Sequence, residues 1–155
     1  MQRIVAAVYL MAIAIWVGSV IFHSFVVAPT LFRSLPQSTA GDVVARIFPT
    51  YYLIGYVCGA VATIAPWLLR GSGTGERTVV WASIVAATML FATIVGGAVI
   101  HPRAAALRSG LAAAAADSPE RSQFRRLHAA AVGANLLVLT GGLVLVVIVS
   151  RHLRW

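Results

Sequence analysis

An all-α membrane protein, four helices crossing the bilayer as one bundle, is the fold class this sequence predicts, and three observations carry it. Of 155 residues, 60% are hydrophobic and only 10% are charged, whereas soluble domains carry about 25% charged residues. The mean hydropathy is +0.90. Residues 4–32, 47–69, 78–100 and 127–150 hold no Asp, Glu, Lys or Arg. Each of these stretches meets the ~20 residues a helix needs to cross a hydrocarbon core ~30 Å thick. A membrane β-barrel would show ~10-residue segments of alternating polarity, and the sequence has none. One domain over residues 1–155 is expected, polytopic, with spans at about 4–28, 50–69, 78–100 and 126–150.

The first span opens at Arg3. A basic residue before an apolar run also marks a signal peptide. This run continues to Ala28, beyond the 7–15 residues of a signal core, and no clear A-x-A cleavage site follows. It reads as a retained helix ended by Pro29, whose ring disfavours helix in the residue before it. The connection that follows is too apolar for a plain loop. Between Pro36 and Pro49 a separate short helix is expected at about 38–48, capped by the hydroxyl of Ser38 or Thr39. Val43, Val44, Ile47 and Phe48 share one face of it, as suits an amphipathic helix in the membrane interface or over the bundle mouth. Tyr51 and Tyr52 then mark the headgroup level where the second span begins.

The second span contains Gly55-x-x-x-Gly59, a spacing that lets helices approach closely. The glycine-rich turn 70–77 makes the second and third spans an antiparallel hairpin. Small residues Thr93, Gly96 and Gly97 lie near the end of the third. Alanines after Pro102 favour continued helix, so the third helix runs on past a bend there, forming an extramembrane helical hairpin over about 102–125. Ser118-Pro119-Glu120 reads as an N-cap, a proline at the first helical position and an acid in the first turn. A helix from there to Ser150 would be about 48 Å long, so its first turns project into water.

The formal net charge of +8 comes from twelve basic residues, all arginine, against Asp42, Glu76, Asp117 and Glu120. The arginines flank apolar spans, where the nearest partner is the lipid bilayer with its anionic headgroups. Nucleic acid is set aside, because no soluble face carries arginines interleaved with aromatics. Seven arginines on the two long connections against five on the terminal side lean towards cytoplasmic connections, while Arg3 argues the other way. A multi-pass protein of a cell membrane, the bacterial inner membrane, is expected. Cys58 is the only cysteine, so neither an intramolecular disulfide nor a CxxC site is possible.

Counting depth along four antiparallel helices puts His101 and His128 at one mouth, with His23, Tyr56 and Asn135 one to two turns deeper. On the fourth helix Phe124, His128, Ala131, Asn135, Val138 and Gly142 form one stripe at three- and four-residue spacing. Unsatisfied polar groups are costly in hydrocarbon, so the stripe faces the bundle interior. The functional reading is a ligand pocket at His128, Asn135, His101 and Tyr52. The structural alternative has His128 bonding a backbone carbonyl or Tyr51, and Asn135 tying two helices together. His152 is expected to be a tail residue at the interface. No carboxylate lies in the membrane core, which argues against a proton relay built on Asp or Glu. Neither a Ser-His-Asp arrangement, a P-loop nor HExxH is present, so no enzymatic activity is expected.

Three segments, WVGSVIFHSFVVAPTLFRSLP, AGDVVARIFPTYYLIGYVCG and FRRLHAAAVGANLLVL, resemble the transmembrane protein 205-like domain family. The likeness runs across most of the chain, through Trp16, Gly18, Pro29, Pro36, Gly41, Pro49, Tyr52, Gly59, Pro102, His128 and Asn135. It implies a small four-helix membrane protein, with His128 and Asn135 among the residues that matter. Three function classes follow. The first is a non-enzymatic protein binding a small ligand, lipid or partner at the bundle mouth. The second is a b-type haem or metal carrier using His128 with His101 or His23, by the usual role of imidazole. The third is an assembly subunit that meets a membrane-protein partner, or another copy of itself, through the small-residue faces of helices 2 and 3.

Overall fold

The computed structural model describes residues 1–70, 75–111, 115 and 117–151, and the regular elements among them are helices. Four long ones result: α1, Gln2–Ser34; α2, Gln37–Leu68; α3, residues 76–111; and α4, Pro119–Ser150. All four are long and apolar enough to cross a membrane. They pack in a closed ring, α1 on α2, α2 on α3, α3 on α4, and α4 back on α1. Residues 71–74, in the glycine-rich turn, and His152 lie outside the described residues. An exposed ion pair between Arg70 and Glu76 joins the two ends of that turn.

The core is built around large side chains set against glycine. Trp16, Val20, Val79, Met89 and Leu145 are fully buried. Opposite Trp16, α2 presents Gly55 and Gly59, where a Cβ would come within 2.7 Å of Thr93 Cγ2 and 2.8 Å of Trp16 Cη2 respectively. The Gly-x-x-x-Gly spacing therefore serves the contact of α2 with α1 and α3. Gly96 and Gly97 of α3 lie under the Tyr52 ring in the same way. The small-residue faces of α2 and α3 are thus turned on each other. Outward, Met11, Phe25, Leu53, Trp81, Phe91 and Leu136 are exposed, as apolar side chains are when lipid is the solvent.

Two expectations need correction. Pro29 does not end the first helix. Instead the chain widens into a π-helical turn at His23–Val27, where the Ala28 N–H donates to the His23 carbonyl, and helix continues to Ser34. Proline cannot donate to the carbonyl four residues back, and in a bilayer a local π adjustment satisfies the freed groups. Second, residues 38–48 are helical but not a separate interfacial helix, since α2 runs unbroken through Pro49. A proline costs one bond there, and apolar packing on both sides of it holds the helix together. Tyr51 and Tyr52, at the level where the second span was expected to begin, turn into the bundle, where both are buried.

Two expectations hold. Helix continues past Pro102, again by way of a π-helical turn, Val95–Ile100, closed by the His101 N–H on the Gly96 carbonyl. Ser118 caps α4, its Oγ accepting from the Arg121 N–H at 3.3 Å. At this end the Arg121 guanidinium also donates to the Leu111 carbonyl at 2.9 Å, fastening the start of α4 to the end of α3.

Candidate functional site

A cavity of about 70 Å³ opens at the mouth end, between α2, α3 and α4. From α2 come Ala45, Phe48 and Tyr52; from α3, Ile100, His101, Ala104, Ala105 and Arg108; from α4, Phe124, Leu127, His128 and Ala131. Its walls are mostly aromatic and aliphatic, with two imidazoles, a phenol and one guanidinium as the polar groups. Apolar walls with a few convergent polar groups are the usual build of a small-molecule site.

The aromatic cluster behind the cavity centres on Phe48. Its ring lies 5.3 Å from the His23 ring and 5.3 Å from the His101 ring, the latter edge-on. Tyr52 stands 5.6 Å from Phe48 and 6.0 Å from His101. Both histidines are tied to π-helical turns, His23 at the start of one and His101 directly after the other. The His101 Nε2 atom is buried and has no hydrogen-bond partner among the described residues. A buried nitrogen left without a partner costs about 1–3 kcal/mol.

Three of the four sequence-predicted pocket residues come together here. Tyr52 is buried, His101 half-buried, and His128 exposed at the rim. Asn135 does not line the cavity. It lies deeper on α4, half-buried, and its Oδ1 accepts from the Tyr51 hydroxyl at 3.0 Å. That bond ties α4 to α2 and is the interhelical role weighed for it from sequence. Along the α4 stripe Val138 and Gly142 are buried, Phe124, Ala131 and Asn135 are half-buried, and His128 departs from the rest. His23, 7% exposed, packs on Phe48 and Tyr51 instead of lining the cavity. Among the described residues, no three His, Cys, Asp or Glu side chains gather closely enough to hold a metal ion.

Sequence reasoning missed Arg108. Its guanidinium crosses from α3 to the start of α2, where it donates to the Gly41 carbonyl and stands 3.8 Å from Asp42 Oδ1. Gly41 suits that approach, since a Cβ there would lie 3.3 Å from Arg108 Nη2 and the guanidinium would have to give by a few tenths of an ångström. Phe48 was placed on an apolar face but not at the centre of an aromatic cluster. For Arg108 no local signal exists, because its partners are 66 and 67 residues away in sequence.

Residues 11–113 match a family model described as "Domain of unknown function (DUF4149)". The match contains the α2 and α3 walls of the cavity and stops short of the α4 wall. A protein of Aquifex aeolicus (strain VF5) that carries the name "Uncharacterized protein" is 31% identical over 147 residues, 94% of this chain and 96% of that protein. No solved structure matches.

Proposed function

We propose, from the premise that the chain belongs to the DUF4149 family, that it is a non-enzymatic protein binding a small ligand in the mouth cavity. In this reading it is a multi-pass protein of the bacterial inner membrane, of the transmembrane protein 205-like type. The carrying observation is the His101 Nε2 atom, buried beside the cavity without a partner among the described residues. A ligand that enters between the rings and bonds that nitrogen recovers the cost of leaving it unpaired. Nothing comparable supports catalysis. The polar groups at the cavity are two imidazoles, a phenol and a guanidinium, with no carboxylate or thiol among them.

Division of labour follows from position. His101 and Tyr52 supply the inner wall, His128 the rim, and Asn135 keeps α4 against α2 so that the cavity retains its third side. The test is a mass-spectrometric inventory of small molecules retained by the purified protein, compared with His101→Ala. Loss of one species from the variant, at unchanged helical content, is the expected result. Identical inventories from the two proteins would remove the proposal.

A further inference from the structure

The reading of the mouth as a binding site leaves the ligand's chemical class open, and charge and the apolar walls together narrow it. We infer that the cavity seats the phosphate of an anionic phospholipid. The inference rests on the mouth being a ligand site at all.

Three observations converge. The mouth end carries Arg33, Arg46, Arg103, Arg108, Arg121, Arg125 and Arg126 against only Asp42, Asp117 and Glu120. Arginine's planar fork matches phosphate oxygens in pairs, and basic pockets between membrane helices are where anionic headgroups settle. Next, Arg108 is held in place at the cavity wall by the Gly41 carbonyl, and Asp42 beside it is mostly exposed, 64% for the side chain. An exposed carboxylate 3.8 Å away is screened by water, so it neutralises the guanidinium only in part. Last, the cavity of about 70 Å³ opens outward at the mouth, and the walls around its few polar groups are aromatic and aliphatic. A headgroup at Arg108 would leave the apolar body of its lipid against Phe124 and Leu127, and from there along the outside of the bundle.

The combination excludes the two simpler occupants. An inorganic anion gains nothing from walls made of Phe48, Tyr52, Phe124 and Leu127. An uncharged lipid gains nothing from a fixed guanidinium. A phosphodiester on an apolar body uses both, with Arg108 and His128 as donors at the rim and His101 Nε2 behind them.

The experiment is native mass spectrometry of the full chain in detergent, with phosphatidylglycerol, phosphatidylcholine and inorganic phosphate as probes. Phosphatidylglycerol should be retained in preference to phosphatidylcholine. Arg108→Gln should weaken that retention about fivefold, the effect of one arginine at a headgroup, and His101→Phe should weaken it as well. Arg77→Gln, at the opposite end, should leave it unchanged. Thermal unfolding of each variant in the same detergent separates lost binding from lost fold, and Arg108→Lys, which keeps the charge without the fork, should fall between wild type and Arg108→Gln. Equal loss in Arg77→Gln and Arg108→Gln would mean general annular lipid and overturn the site. Displacement of phosphatidylglycerol by millimolar inorganic phosphate would make the ligand a free anion and overturn the lipid source. An uncharged molecule retained by wild type and lost from His101→Phe, without preference between the two phospholipids, would overturn the anionic class while sparing the mouth as a binding site. If no molecule depends on His101, both readings fall together.

Discussion

One methyl group added at Gly18 and one added at Gly59 should move the stability of the bundle in opposite directions. Both glycines lie within helices, so each Gly→Ala change brings the same gain in helix propensity, up to ~1 kcal/mol. The surroundings differ. At Gly18 a Cβ would meet nothing within 4 Å. At Gly59 it would lie 2.8 Å from Trp16 Cη2, 2.8 Å from Leu90 Cδ1 and 3.2 Å from Leu90 Cβ, where carbon atoms prefer ~3.5–4.0 Å. The Leu90 tip can rotate away. Trp16 cannot, because it is 1% exposed and enclosed by the core, so the helices must part by something near 1 Å. Overpacking of that kind costs ~1–3 kcal/mol. Gly18→Ala should therefore stabilise by ~0.5–1 kcal/mol, and Gly59→Ala should destabilise by ~1–2 kcal/mol after its propensity gain. Reversible unfolding in mixed micelles measures both, and Trp16→Phe in the Gly59→Ala background should recover part of the loss. A Gly59→Ala protein as stable as wild type would refute the close approach of α1, α2 and α3 at this level.

The Tyr51–Asn135 bond should appear in a double-mutant cycle of Tyr51→Phe and Asn135→Leu as a coupling of ~0.5–1.5 kcal/mol; a coupling indistinguishable from zero would mean the 3.0 Å contact carries no energy. Val44 is 6% exposed where Arg46 is exposed, so Val44→Asp should lower stability by at least ~2 kcal/mol through a buried unpaired charge, and Arg46→Asp by far less. For topology, single cysteines at Gly75 and Gly110 in a Cys58→Ser background should be labelled from opposite sides of the membrane, because α3 runs between them; labelling from one side would break the four-span arrangement. Removing the Arg70–Glu76 pair with Glu76→Gln should change stability by no more than ~0.5 kcal/mol, as both side chains are more than half exposed.

The spans were legible because the bilayer imposes one simple condition, a run of apolar residues long enough to cross it. The α4 start was legible because Ser118, Pro119 and Glu120 each act within one turn. The burial of Tyr51 and Tyr52 was not legible, for a specific reason. Reading Pro49 as a boundary broke the chain's periodicity just before them. Carried through Pro49, the pattern Ala40, Val44, Tyr51, Gly55, Cys58, Ala62 and Ala65 is one continuous buried stripe at helical spacing. Both tyrosines then fall on the buried side. The proline rule that misled is local and assumes water will take the freed backbone groups. Inside a bilayer no water is available, and neighbouring helices hold the broken helix in line. Of the site, the histidines were legible by depth alone. Arg108 and the Phe48 cluster depend on contacts between helices, which no local pattern encodes.

The π-helical turns explain why depth could be read and direction could not. One extra residue within a turn leaves the rise along the axis nearly unchanged but rotates everything after it by ~100°. Beyond His23–Val27 and Val95–Ile100, then, the faces of α1 and α3 are no longer those that the preceding periodicity projects. His101 follows the second turn directly, and its ring meets Phe48 and Tyr52 through that rotated register. The causal order runs from proline to imidazole. Pro102 lacks the N–H for a regular helix, the chain widens ahead of it, and the widening sets the direction in which His101 leaves the backbone. Pro29 does the same for the helix that carries His23. Pro29, Pro49 and Pro102 put one proline within each of α1, α2 and α3 at the mouth end, around a single Phe48 ring, and the helix widens ahead of the first and the last. The His101 Nε2 atom, without a partner among the described residues, thus belongs to the residue that directly follows a π-helical turn, and such turns recur at functional sites.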